Sequence, residues 1–87
     1  MFVILVYDVG EKRVAKVLKT ARKHLYWVQN SVLEGNISES SFKQLKVELG
    51  KIIDEDYDSV IFYTFRTTKY SDREIMGVEK GGEDNFL

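Results

Sequence analysis

An α/β sandwich, one sheet with two helices on one of its faces, is the fold class this chain predicts, and three observations predict it. Strand-like and helix-like segments alternate along the 87 residues. The two most apolar runs, 2–7 and 60–65, suit neighbouring strands at the centre of a sheet. The length allows one hydrophobic core and no second domain.

Residues 2–9 are β-branched, aromatic or aliphatic around a single Asp8, with no turn residue before Gly10, which predicts a strand covered on both faces. From Glu11 the period changes. Val14, Val17, Leu18, Ala21 and Leu25 fall at helical spacing, while Lys12, Lys16, Lys19 and Lys23 form a second stripe facing elsewhere. A helix over about 11–24 follows from that pattern. The segment 26–34 returns to strand composition and reads as two short strands or one kinked one, with Asn30 at the turn or bulge. Ser38 and Ser41 both suit a helix start, and Ser41 with Gln44 has capping-box spacing. Phe42, Leu45, Leu49, Ile52 and Ile53 give the second helix its apolar face. The acidic stretch 54–59 reads as a turn-prone break whose run 54–58 solvates a turn, 60–65 as a strong strand, and "REIMGV", 73–78, as a short edge strand. The order fits a ferredoxin-like βαββαβ arrangement with an additional C-terminal edge strand, one domain over 1–78 and a tail over 79–87.

Composition excludes several classes of function. The chain has no cysteine and a single histidine, so neither a disulfide framework nor a zinc site of ordinary ligand count is available. No run is apolar for long enough to span a bilayer, and 2–7 is too short and lacks the basic flank of a signal peptide, so the cytoplasm is the expected location. The glycines form no phosphate-binding signature. His24, near the end of the first helix, reads as a cap for the last carbonyls. The net charge of −1 hides an asymmetry: residues 1–30 carry six bases against two acids, the rest seven against twelve. A basic helix on an acidic domain is a local patch that phosphates feel.

Asp8 is the residue that best suits chemistry. On period two it shares a face with Phe2, Ile4 and Val6 at the C-terminal end of a central strand, where ligand sites of α/β sheets gather. Aspartate at this position also suits an N-cap for the helix that follows. One carboxylate cannot satisfy Mg²⁺, which takes roughly six oxygen ligands, but a two-fold dimer would present two copies of Asp8. Glu34, Asp54, Glu55, Asp56 and Asp58 are the other acids available to a site, and exposed Tyr26 or Trp27 could stack on bases.

Five segments in order, "YDV", "KRVAKVLK", "VQNSVLEG", "SFKQLKVEL" and "DSVIFYTF", resemble the CRISPR-associated protein two family across about residues 1–78. The resemblance implies a ferredoxin-like protomer in a tight homodimer whose C-terminal strands, here 73–78, are exchanged between subunits. It implies a Mg²⁺-dependent endonuclease acting on RNA or double-stranded DNA, with Asp8 as catalytic residue and metal ligand. Under the resemblance Tyr7, Arg13 and Ser31 contact nucleic acid, and Lys12, Lys16 and Lys19 of the basic stripe join them. The same resemblance allows a non-catalytic adaptor that bridges dimers of a CRISPR integrase partner in spacer acquisition. A toxin-type ribonuclease of the related virulence-associated D family is the third alternative. Two positions depart from the family pattern: Trp27 stands where an Arg is usual before "VQ", and Leu33 replaces the Phe of "SVFEG".

Overall fold

The computed structural model describes residues 1–66 and 71–80. Seven elements follow one another: β1 (Phe2–Asp8), α1 (Glu11–Ala21), β2 (Tyr26–Gln29), β3 (Val32–Asn36), α2 (Glu39–Gly50), β4 (Ser59–Phe65) and β5 (Ser71–Gly77). The strands form one antiparallel sheet in the order β2-β3-β1-β4-β5. This is the predicted ferredoxin-like arrangement with its extra edge strand. β1 and β4 are neighbours in a register that sets Val6 opposite Ile61 and Asp8 opposite Ser59. β5 pairs along the whole of β4, from Ser59↔Gly77 to Phe65↔Ser71. Of the tail expected over 79–87, residues from 81 onward lie outside the described residues.

The core lies between the sheet and the two helices. Val3, Leu5 and Tyr7 of β1 meet Leu33, Val60 and Phe62 of neighbouring strands, and Val17, Ala21, Leu45 and Leu49 of the helices close over them. Phe42 packs edge-on to Phe62, ring centroids 5.2 Å apart. Each large apolar side chain buried this way stabilises the fold by about 1.5–3 kcal/mol relative to exposure.

β1 differs from expectation in one respect that matters for the site. Its burial alternates: Val3, Leu5 and Tyr7 face the helices, whereas Phe2, Ile4 and Val6 are only half-buried on the opposite face. Ile61, Tyr63 and Ile75 continue that outer face across β4 and β5. Among the described residues no second layer covers it.

Three local expectations are also corrected. α1 ends at Ala21 instead of about 24, because the backbone N–H groups of Lys23 and His24 bond to Thr20 and Ala21 and tighten the last turn. Leu25 still reaches the core, from the strand side of that turn. Ser38 caps α2 by accepting from the Ser41 N–H at 3.1 Å, so Ser41 lies inside the helix and the Ser41–Gln44 box is not used. The His24 ring meets Glu48 of α2 at 3.0 Å and does not cap α1. Asn30, with φ of 41°, makes the β2–β3 turn where the sequence placed it. No helix among the described residues is long and apolar enough to cross a membrane.

Candidate active site at the end of the first strand

Seven residues of extended chain carry β1 to Asp8, and alternation decides where its side chain goes. Tyr7 turns toward the helices and is 5% exposed, its hydroxyl held above the usual phenol range by burial. Asp8 turns to the open face and is 70% exposed. The residue that starts α1 is Gly10, whose helix end receives no side-chain cap from its neighbours. Asp8 therefore does not cap the helix.

The carboxylate that anchors the helix start comes from 48 residues away. Asp58 is fully buried and accepts the Gly10 N–H at 2.8 Å. Arg13 grips it with two bonds, from Nε at 2.5 Å to Oδ2 and from Nη2 at 2.9 Å to Oδ1, and the Asp54 N–H adds a fourth bond, to Oδ2 at 2.8 Å. Bidentate, charge-assisted bonds of this kind are the strong ones. Arg13 above all, then the backbone donors, hold the Asp58 carboxyl well below the usual carboxylate range against the opposing effect of burial. The same contact raises the Arg13 guanidinium. Reading 54–58 as a solvated turn is correct for Glu55 and Asp56, which are exposed, and wrong for Asp58.

The candidate residues thus divide into groups. Asp8, Lys12 and Ser31 gather at one end of the sheet: Lys12 is exposed in the first turn of α1, and the Ser31 carbonyl accepts the Tyr7 N–H at 3.1 Å. Lys16 and Lys19 are exposed farther along α1, which at 1.5 Å per residue carries Lys19 roughly 10 Å beyond Lys12. Tyr7 contributes its backbone to the strand end and its ring to the core. Arg13 is committed to Asp58.

Two residues at this end have roles that the sequence did not show. One is Asp58, counted there only among the acids available to a site, with no sign that it anchors the helix start. The other is Lys80, whose Nζ stands 3.6 Å from Asp8 Oδ2. Among the described residues no group of three or more His, Cys, Asp or Glu side chains gathers to hold a metal ion. Asp8 is by itself an exposed oxygen donor of the kind a hard cation takes, one carboxylate with Lys80 beside it.

Fold and site together define a ferredoxin-like α+β protein with an exposed carboxylate where its central strand meets its first helix. The family described as CRISPR associated protein Cas2 matches residues 1–73. A relative from Dictyoglomus turgidum named CRISPR-associated endoribonuclease Cas2 is 59% identical over 87 residues, 100% of each chain. One of the same name from Thermotoga maritima is 58% identical, covering 100% of this chain and 99% of the relative. A solved structure described as a crystal structure of cas2 superposes with a TM-score of 0.73 at 40% identity, covering 94% of this chain and 92% of that one. The chain belongs to the Cas2 family.

Proposed function

We propose that the chain is a Mg²⁺-dependent endonuclease that cuts phosphodiesters of RNA or DNA as a homodimer and takes part in spacer acquisition. The observation that carries this reading is the placement of Asp8. It is an exposed carboxylate at the end of the central strand, released from capping because Asp58 anchors the helix start. The endoribonuclease name of the relatives supports RNA as a substrate.

Two copies of Asp8, one from each protomer, would hold the metal, with water and phosphate oxygens completing its shell. Magnesium bound there would stabilise charge on the scissile phosphate and orient the attacking water. The chain's own residues do the rest. Lys12 would hold the nucleic-acid backbone near Asp8 without reading sequence, and Ser31, whose carbonyl accepts the Tyr7 N–H, would offer its hydroxyl to a sugar or phosphate oxygen. Tyr7 fixes the strand end from within the core. Arg13 acts as a positioning residue: with Asp58 it fixes the turn Asp8–Gly10, so the carboxylate meets the substrate in one place.

The test is cleavage of end-labelled single-stranded RNA and duplex DNA in Mg²⁺ or EDTA by the wild type and Asp8→Ala. Cleavage of one of these substrates by the wild type in Mg²⁺ alone, lost in the variant, is expected. Equal cleavage by both proteins would contradict the reading.

A second reading has its own observation, the exposed stripe Lys12, Lys16 and Lys19 on α1. Paired across a dimer, two such helices make a sequence-independent track for duplex DNA, with catalysis supplied by an integrase partner. Under this reading Asp8→Ala still supports spacer acquisition in cells, whereas under the first it does not.

A further inference from the structure

Tyr26 and Trp27 are neighbours on the edge strand β2, and alternation sends them to opposite faces of the sheet. Tyr26 lies opposite Glu34, which pairs in turn with Ile4, so its ring stands beside a carboxylate on the outer face. Trp27 lies opposite Leu33, which is buried on the helix side, so the indole belongs to the face that carries α1. Two contacts fix the ring there. Its Nε1–H donates to the Asn30 carbonyl at 2.9 Å, which satisfies its single polar atom within its own hairpin. The Arg22 guanidinium, just past the end of α1, lies 5.8 Å from the ring centroid, within cation–π range. The residue is nevertheless 50% exposed. A flat ring fixed in orientation and left half open suits stacking, because little freedom remains to be lost when a flat ligand settles on it.

The charge around the ring indicates what settles there. Arg22 and Lys19, one helical turn apart, are exposed and enter no ion pair among the described residues. With Lys12 and Lys16 they carry the basic side of α1 to the indole. The hairpin that holds Trp27 continues to Ser31, whose carbonyl accepts the N–H of Tyr7, the residue before Asp8. An open aromatic surface rimmed by cations complements an unpaired nucleobase and its flanking phosphates. Resting on the nucleic-acid binding proposed above, we infer that Trp27 is a stacking platform for an unpaired base of a single-stranded substrate, with Arg22 taking the adjacent phosphate. A duplex keeps its base faces covered and offers the ring nothing, so the platform selects single strands where lysines alone do not. Every base has a π face, so the preference is for strandedness and not for sequence.

Trp27 is the chain's one tryptophan, so intrinsic fluorescence reports on this ring alone. The experiment titrates the full chain, in EDTA at low ionic strength, with single-stranded oligouridylate, an abasic strand of the same length and an RNA duplex. Oligouridylate is expected to quench the indole emission. The abasic strand and the duplex, which bring phosphates without an open base face, are expected to bind by anisotropy and leave the emission unchanged. Trp27→Ala is expected to bind oligouridylate about tenfold more weakly, the loss of one base stack, with duplex affinity unchanged. Trp27→Phe, which keeps a π face, is expected to recover most of that loss. Equal quenching by the abasic strand would overturn the platform and leave the basic stripe standing. So would a loss in Trp27→Ala that the duplex shares equally, or no loss at all. Failure of the wild type to bind any of these probes would overturn both the platform and the nucleic-acid reading beneath it.

Discussion

The buried carboxylate of Asp58 takes four hydrogen bonds, from the Gly10 and Asp54 N–H groups and from Nε and Nη2 of Arg13. Removing it strands two backbone donors and leaves a guanidinium without its counter-charge. Asp58→Ala is expected to cost about 3 kcal/mol, the low end for breaking a buried pair, because the partly exposed Arg13 can rehydrate. A urea titration checks this through the shift of its midpoint. The pair also sets the acid limb of stability. The folded Asp58 carboxyl titrates well below the ordinary value of about 3.9, so the unfolded chain binds the extra proton. The stabilisation is present above about pH 5 and drains as pH falls below about 4 toward the folded value. Glu48, lowered chiefly by its bond to His24, changes stability in the same direction. Thermal midpoints of Asp58→Asn should therefore fall less between pH 6 and about pH 3 than those of the wild type, and parallel curves would contradict the assignment.

Among the elements, α1 carries the functional consequences. Lys12, Lys16 and Lys19 enter none of the ion pairs among the described residues, whereas Lys23 lies 3.6 Å from Glu48. Replacing the first three by Gln should lower the slope of log affinity against log salt by about 2 for single-stranded RNA, at roughly 0.7 per phosphate contact. An unchanged slope would remove α1 from the interface. Gly77→Ala should loosen the end of β5 at a cost of about 2 kcal/mol or more, since its φ is unfavourable for any other residue and the Cβ meets the Asp58 carbonyl. Faster amide exchange at Met76 and Val78 would report it. The elements were largely legible in the sequence because their signals are local: runs of apolar residues for β1 and β4, a 3.6-residue period for α1 and α2, and Asn30 for the hairpin turn. What was not legible depended on contacts distant in the chain. Asp8 and Asp58 are the same residue type, and only packing decides which one anchors α1.

At the scale of the whole molecule, the outer face of the sheet remains to be accounted for. Phe2, Ile4, Val6, Ile61, Tyr63 and Ile75 form a half-buried apolar surface on the side of β1 to which Asp8 belongs. A second copy packed there would bury this surface and bring two Asp8 carboxylates to one interface, which is the dimer of the proposed function. Val6→Asp should then shift the protein to monomer in analytical ultracentrifugation and remove cleavage with it. The most direct test of the paired site uses dimers carrying one wild-type subunit and one Asp8→Asn subunit, purified through two different tags. Their Mg²⁺-dependent cleavage of single-stranded RNA is expected to fall to the level of the doubly substituted dimer, because one carboxylate is half of the site. Retention of half or more of the wild-type rate would show that each Asp8 works alone and would contradict the account.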